Sequence, residues 1–188
     1  MKTVDGLRLS LKQRALLRPG ELISTLPDTQ HRLPRFFFEV PSWPSAHETL
    51  LTPHFKLAEL MKVDCREARP LLDEFPHFVP CAIALLAQLL EQLRREFGGP
   101  IFVSANGGYR SPAHQLSDAE PIHCWGTAAD IYRVGDTFLD DESSIRKFAR
   151  LAAAFEPALG VKPFEPGDDH LHVDLGFATV APSELSER

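Results

Sequence analysis

Apolar residues recur every third or fourth position in two long stretches of the chain, and this spacing is typical of helices that bury one side. The first stretch runs from about Val79 to Phe97, where Pro80 suits a first helical turn and Gly98-Gly99-Pro100 ends the helix. The second runs from about Ser143 to Phe155 and follows acidic residues that favour a helix N-terminus. The sequence therefore predicts two amphipathic helices in the second half of the chain.

Shorter apolar or alternating segments predict strands around these helices. Ile101–Val103 and Ala128–Tyr132 are apolar and short enough to be buried strands. His170–Leu175 alternates polar and apolar residues, which places its two histidines and Asp174 on one face of a strand. Helices and strands are interspersed without strict βαβ alternation, so the predicted fold class is α+β.

The first 50 residues differ from the rest because they are rich in proline. Six prolines lie between Pro19 and Pro53, a density that forbids long regular helices. The alternation of Leu7, Leu9 and Leu11 with polar residues predicts one strand, and Phe36–Val40 predicts another. The segment contains no chemical motif. We therefore predict an N-terminal arm over residues 1–50, β-leaning or irregular and of unassigned role, followed by one domain over residues 51–188.

Composition narrows the possible classes of protein. The 188 residues are 44% hydrophobic and 24% charged, which suits one globular domain and excludes a disordered, collagen-like or coiled-coil chain. No apolar run approaches the roughly 18 residues of a membrane span. The net charge of -6 argues against a nucleic-acid-binding surface. The three cysteines, Cys65, Cys81 and Cys124, fit neither a disulfide framework nor a zinc finger.

Two histidines and an aspartate in the second half of the chain have the spacing of a metal site. His123 and Asp130 lie in H-C-W-G-T-A-A-D, where Gly126 permits a tight turn and the next strand carries Asp130 back towards His123. His172 arrives from a separate strand. Imidazole and carboxylate ligands suit zinc, and three of them leave a position for a water whose pKa zinc lowers to about 7. These residues predict one Zn²⁺ per chain.

Three further residues supply the other parts of a hydrolytic site. Asp169 would be the general base acting on the metal-bound water, provided that the strand carrying His172 begins late or twists, since the two side chains otherwise point apart. His170 would donate a proton or stabilise an oxyanion. Arg110, in G-G-Y-R-S-P, would hold a substrate carboxylate or carbonyl. Cys124 is predicted to be a buried, inert thiol.

These motifs resemble the M15 family of zinc peptidases, which includes D-alanyl-D-alanine carboxypeptidases and phage endolysins. The resemblance rests on H-x-x-G-x-A-x-D from His123 to Asp130 and on the later H-x-H that ends at His172. P-H-F-K-L-A-E-L at 53–60 and P-I-F-V-S-A-N-G-G-Y-R-S-P at 100–112 resemble two further segments of one branch of the family. The order of elements matches from about residue 53 to residue 177.

The resemblance implies a fold, a reaction and a set of roles. The fold is the hedgehog/DD-peptidase-like one, an antiparallel sheet with flanking helices, and the reaction is hydrolysis of an amide next to a D-amino acid in peptidoglycan-derived peptides. The implied roles are zinc ligation by His123, Asp130 and His172, general base catalysis by Asp169, assistance by His170 and substrate anchoring by Arg110. Many relatives carry Ser where this chain has Pro121. No signal peptide is visible, so we expect a cytoplasmic protein or a phage-encoded lysin.

Two other functions remain open on the same residues. Two histidines and an aspartate also form the facial triad of non-haem iron oxygenases, although those enzymes usually place the carboxylate close after the first histidine. A metal-binding interaction module without catalysis is the other alternative, motivated by the altered segment before His123 and by residues 1–50. The sequence does not distinguish carboxypeptidase from endopeptidase action, and it does not predict the oligomeric state.

Overall fold

Helices and antiparallel strands are mixed along the chain in the computed structural model, which describes residues 1–26, 29–64, 74–155 and 159–182. This confirms the α+β class. The helices are α1 (Leu11–Leu17), α2 (Trp43–Glu48), α3 (Leu57–Leu60), α4 (Ile83–Phe97) and α5 (Glu142–Ala152). The strands are β1 (Lys2–Asp5), β2 (Leu22–Leu26), β3 (Thr29–Arg32), β4 (Phe36–Val40), β5 (Leu50–Thr52), β6 (Phe55–Lys56), β7 (His77–Pro80), β8 (Ile101–Val103), β9 (Ala128–Val134), β10 (Thr137–Phe138), β11 (Gly160–Val161) and β12 (Leu171–Asp174).

Strand β9 organises the sheet that carries the predicted metal ligands. It pairs antiparallel with β8, β10 and β12, and β11 extends the sheet beyond β12. Ala129 and Ile131 of β9 are buried in the main core, so the residue between them, Asp130, faces the other side of the sheet. The register pairs Asp130 directly with His172 of β12. Strand pairing therefore brings together two residues that are 42 positions apart.

The long core helix begins later than its apolar pattern predicts. Residues 79 and 80 belong to β7, where Phe38 of β4 pairs with Val79 and Phe37 pairs with Pro80. Helix α4 then runs from Ile83 to Phe97 and ends at Gly98 in the left-handed conformation. The predicted start at Val79 is wrong because Val79 and Pro80 form strand pairs with β4, which is distant in sequence. Pro80 is tolerated because it is the last residue of β7.

The strand predicted around Leu7, Leu9 and Leu11 is also wrong. Gly6–Arg8 form a 3₁₀ turn, and α1 begins at Leu11. The side chain of Ser10 accepts a hydrogen bond from the backbone of Gln13, and the Gln13 side chain accepts one from the backbone of Ser10. This capping box stabilises a helix that begins at Leu11, where the alternating pattern predicts a strand. The predicted strand Phe36–Val40 is confirmed as β4.

The first 50 residues pack against the rest of the chain. Strand β4 lies between β1 and β7, and Val40 and Ala46 belong to the main core. Leu33 packs against Trp125, whose indole Nε1 donates to the carbonyl of Arg32 at 3.0 Å. Whether residues 51–188 form a domain by themselves stays a prediction. In the described part of the chain, no helix has the length and apolar character needed to cross a bilayer.

Candidate metal centre

The two histidines and the aspartate predicted as metal ligands converge at one point. His123, Asp130 and His172 each offer a ligand atom, and the three atoms lie within 4.8 Å of one another. His123 and Asp130 are buried, and His172 is partly buried. Three different segments contribute: a 3₁₀ helix at Pro121–Trp125, strand β9 and strand β12. An arrangement of two imidazoles and one carboxylate with an open side is typical of catalytic zinc.

The orientation of His123 fits a metal ligand. Gly126, with φ of 67°, ends the 3₁₀ helix in a left-handed conformation and turns the chain into β9. The His123 ring donates from Nδ1 to the carbonyl of Gly108 at 2.8 Å, since a carbonyl can only accept. In a neutral ring this leaves the lone pair on Nε2, which is buried, has no hydrogen-bond partner among the described residues and lies 3.4 Å from Asp130 Oδ2. A buried acceptor without a partner is costly, and a zinc ion would satisfy it.

Asp130 and His172 form a close charged pair. Asp130 Oδ1 lies 2.7 Å from His172 Nδ1. Burial alone would raise the pKa of Asp130, but the neighbouring imidazoles of His123 and His172 outweigh it and hold that pKa well below its usual range. Burial disfavours the charged His172 ring, yet Asp130 and Asp174 raise the pKa of His172 to about 9. Zinc binding would therefore release a proton from His172 at neutral pH.

Asp174 supports His172 from the far side of the ring. Asp174 Oδ2 lies 3.4 Å from His172 Nε2, and Asp174 follows His172 by two positions in β12, so both side chains share a face. The strand periodicity in the sequence predicted this common face. A carboxylate that holds the second nitrogen of a ligating histidine fixes the ring orientation.

Asp169 and His170 lie just before the strand that carries His172. Because β12 begins at Leu171, both are outside the regular alternation, which is the condition that the predicted general-base role of Asp169 needs. Asp169 Oδ1 contacts His170 Nδ1 at 2.8 Å, and His170 Nε2 lies 3.6 Å from Asp130 Oδ1. The Asp169 side chain is 83% exposed. His170 thus adjoins the ligand set directly, and Asp169 adjoins it through His170.

Arg110, which is predicted to anchor the substrate, is almost completely buried. Its side chain is 2% exposed, and its Nη2 donates to Glu120 Oε2 at 2.9 Å and to the Glu120 carbonyl at 3.3 Å. Its Nε is buried without a hydrogen-bond partner in the described part of the chain. Burial raises the pKa of Glu120, but the hydrogen bond from Arg110 prevails and lowers it overall. The sequence did not predict Glu120 as the partner of Arg110. The two residues are ten positions apart in an irregular loop, where no periodic pattern indicates which side chains meet.

Two glycines allow the loop before Arg110 to approach the metal ligands. A Cβ on Gly107 would lie 2.9 Å from the Cβ of Asp130, and one on Gly108 would lie 2.2 Å from the backbone oxygen of Leu60. Only glycine permits both contacts. The G-G of the G-G-Y-R-S-P motif therefore positions the carbonyl that holds His123, a role that sequence reasoning did not assign.

Cys81 and Cys124 lie outside the cluster of His123, Asp130 and His172, and Cys124 is buried as predicted. Its thiol is buried, and burial raises its pKa to about 11. The same cause raises the pKa of Cys81 to about 11. Thiols that stay protonated at neutral pH are poor nucleophiles and poor ligands. Cys65 lies outside the described residues.

Comparison with known proteins agrees with this geometry. A family model described as Peptidase M15 matches residues 53–174, more than half of the chain. The match includes all three converging ligands, together with Arg110 and the segment 169–170. No curated protein and no solved structure matches the chain. The extent of the match and the ligand cluster within it show that the chain belongs to the M15 family of peptidases.

Proposed function

We propose that this chain is a zinc-dependent peptidase that hydrolyses amide bonds next to D-amino acids in peptidoglycan-type peptides. We propose with it the hedgehog/DD-peptidase-like version of the α+β fold. The observation that carries the proposal is the convergence of His123, Asp130 and His172 to within 4.8 Å in a member of a peptidase family. The buried Nε2 of His123, without a hydrogen-bond partner among the described residues, supports a metal at this point.

The ligands would hold zinc through His123 Nε2, an Asp130 carboxylate oxygen and a nitrogen of His172. When bound, zinc polarises a scissile carbonyl and lowers the pKa of a coordinated water, so that attack proceeds at neutral pH. Gly108 holds the His123 ring by its carbonyl, and Asp174 contacts the His172 ring. These contacts keep both imidazoles oriented before metal arrives, which reduces the cost of assembling the site.

The remaining residues would manage protons and substrate. We assign Asp169 as the general base, since it is an exposed carboxylate beside the ligand set, and His170 as the group that passes on or returns the proton. The contact of 2.8 Å between them supports such a relay. Arg110 would bind a substrate carbonyl or carboxylate through the part of its guanidinium that does not donate to Glu120, since Glu120 already occupies Nη2.

Elemental mass spectrometry of the purified protein tests the metal assignment. We expect about one zinc per chain, and His123→Ala should reduce the zinc content several-fold because it removes a buried ligand. His47→Ala is the matched control, since His47 is an exposed histidine on α2. Failure of the wild-type protein to bind zinc when zinc is supplied would overturn the proposal, and tightly bound iron would redirect it to an oxygenase.

Peptide hydrolysis tests the substrate class. Zinc-loaded protein should cleave peptides that contain D-alanine or D-glutamate next to the scissile bond, with products identified by mass spectrometry. The cleavage position will also separate carboxypeptidase from endopeptidase action. All-L peptides of the same sequence are the control. Equal cleavage of D- and L-peptides would contradict the preference for D-amino acids while leaving the peptidase assignment intact.

A further inference from the structure

Arg133 lies on the same face of the sheet as the metal centre. Beyond Ile131, one extra residue on β9 shifts the register, because Val103 pairs with Ile131 whereas Phe102 pairs with Arg133. After this bulge, Val134 faces the main core, so Arg133 faces the opposite side, as Asp130 does. Strand β10 pairs Phe138 with Arg133. Three strands thus present Phe102, Arg133 and Phe138 on the metal-bearing face.

Aromatic rings hold the Arg133 guanidinium in place. Its Cζ lies 3.8 Å from the ring centroid of Phe102, 5.6 Å from that of Phe138 and 6.0 Å from that of Tyr132. The Nε is buried without a hydrogen-bond partner among the described residues. Phe138 is nonetheless 53% exposed, so this part of the face is open to solvent. An arginine that stacks on aromatic rings keeps its in-plane N–H donors available to a ligand.

The Arg133 guanidinium has no acidic partner among the described residues. Within residues 1–26, 29–64, 74–155 and 159–182, Arg133 forms no ion pair, whereas Arg18, Arg35, Arg110 and Arg146 each pair with an acidic side chain. Exposed aromatic rings can also bind sugars by stacking. The Arg133 guanidinium already covers one face of the Phe102 ring, which disfavours a sugar as the ligand on that face. An ordered, unpaired cation on an open face suits a planar anion bound in a bidentate manner.

We propose that Arg133 is a specificity-determining residue that binds a carboxylate of the peptide substrate. The inference rests on the proposed peptidase function. Arg133 follows Asp130 by three positions along β9, but the extra residue of the bulge reduces this to two strand steps, or about 7 Å. An extended peptide covers this distance in about two residues. The preferred substrate therefore carries a carboxylate, on a side chain or at a chain end, about two residues from the bond that is cleaved.

Steady-state kinetics with matched peptides test this inference. The two peptides are the same D-amino-acid substrate with either a carboxylate or its amide at the second residue from the scissile bond. Zinc-loaded wild-type protein should show a KM about 10- to 100-fold lower for the acidic peptide, the range expected for one hydrogen-bonded charge pair. Arg133→Gln should bring the two KM values together. Arg133→Lys should retain part of the preference, because lysine keeps the charge but loses the planar geometry.

Controls separate this inference from the proposed function. Arg150→Gln removes the same charge from an exposed position on α5 and should leave the preference at its wild-type value. Binding of both peptides to zinc-loaded protein is also measured by calorimetry, which needs no turnover. If neither peptide is cleaved, the proposed function fails, yet stronger binding of the acidic peptide that is lost in Arg133→Gln still supports the inference. Equal KM and equal affinity for the two peptides in the wild-type protein would overturn it.

Discussion

At the scale of single residues, the proposed metal centre depends on a hydrogen bond that makes one imidazole nitrogen a donor and leaves the other nitrogen available as a metal ligand. Gly108 fixes the proton of His123 on Nδ1, so that Nε2 faces Asp130. His172 is different, because both of its nitrogens contact carboxylates, at 2.7 Å and 3.4 Å. Its pKa of about 9 means that metal and proton compete for this ring at neutral pH.

The relay before β12 gives a prediction for Asp169. Asp169→Asn should lower kcat for peptide hydrolysis by about 10²- to 10⁴-fold, since an amide cannot accept the proton that a general base removes. Zinc content should stay near the wild-type value, because Asp169 adjoins the ligand set only through His170 among the described contacts. Kinetics and elemental analysis measure the two effects.

Asp140→Asn is the control for this substitution, as Asp140 is an exposed aspartate before α5. It should leave kcat unaltered. Normal hydrolysis by Asp169→Asn would show that another group, with His170 the nearest, removes the proton.

His77 gives a prediction about pH and stability. Its ring stacks on Phe75 with centroids 3.9 Å apart, and burial lowers its pKa below 6.5, although a backbone hydrogen bond to Glu74 opposes the shift. The folded protein then binds fewer protons than the unfolded chain between the folded pKa and 6.5. The stability contribution of His77 is therefore complete above pH 6.5 and declines as the pH falls through that window.

Urea unfolding of His77→Phe at about pH 7.5, 6.5 and 5.5 checks this expectation. The variant should lose less stability than the wild-type protein between the highest and lowest pH, because phenylalanine keeps the stacking but does not titrate. His47→Phe, on the exposed side of α2, is the control. Identical pH dependence in His77→Phe and wild type would refute the expectation.

At the scale of elements, the loop between β8 and the 3₁₀ helix before β9 is the part that assembles the site. Apart from a 3₁₀ turn at Gln115–Ser117 it has no regular structure. Backbone hydrogen bonds fix its position, since Tyr109 donates to Leu60 at 2.7 Å and Asp130 donates to Gly107 at 2.8 Å. The loop thus connects α3 with β9 and places a carbonyl beside His123. Its shape depends on the absence of side chains at Gly107 and Gly108.

Gly108→Ala should therefore disturb stability and metal binding together. The new Cβ would lie 2.2 Å from the backbone oxygen of Leu60, and backbone cannot move aside as a flexible side chain can. We expect a loss of about 2–3 kcal/mol in the free energy of unfolding and weaker zinc binding, since the Gly108 carbonyl would shift away from His123. Denaturant unfolding and zinc titration measure both.

Gly99→Ala is the matched control, because its Cβ would meet Gly135 at 3.6 Å, an ordinary contact. It should change the free energy of unfolding by less than about 0.5 kcal/mol. If Gly108→Ala behaves like this control, the close packing of the loop on Leu60 does not constrain the site.

At the scale of the whole molecule, residues outside the family match complete the structure. Phe37 of β4 and Leu17 of α1 form a cluster with Phe78 of β7, and Leu33 covers Trp125, which directly precedes Gly126. Trp125 follows His123 by two positions, so the N-terminal residues support the 3₁₀ helix that presents the first ligand. The N-terminal residues thus help to build the site, although the three predicted ligands all come from later in the chain.

Metal binding should also stabilise the whole fold, because the three ligands come from segments far apart in the chain. Zinc at about a thousand times its Kd should add about 4 kcal/mol to the free energy of unfolding, which raises Tm by on the order of 10 °C for a chain of this size. Calorimetry with and without a chelator measures the shift. His123→Ala should show almost none of it, and an equal shift in that variant would place the zinc elsewhere.

Local spacing along the chain was enough to predict several features of the fold and of the site. The period of apolar residues located α4, α5, β9 and β12 to within a few positions, because burial of one face imposes that period. The spacing from His123 to Asp130, with Gly126 between them, predicted the turn that brings both to one point. The alternation around His172 predicted the face that it shares with Asp174.

Contacts between distant segments could not be predicted from local spacing, because they form only when the chain folds. It assigned residues 79–80 to a strand, because β4 pairs with them, and it gave Arg110 the partner Glu120. One extra residue in β9 placed Arg133 on the face of Asp130, although an even alternation would place it on the opposite face. Periodicity in the sequence predicts which residues share a face of a strand only if the strand contains no bulge. Bulges depend on how a strand pairs with its neighbours in the folded protein.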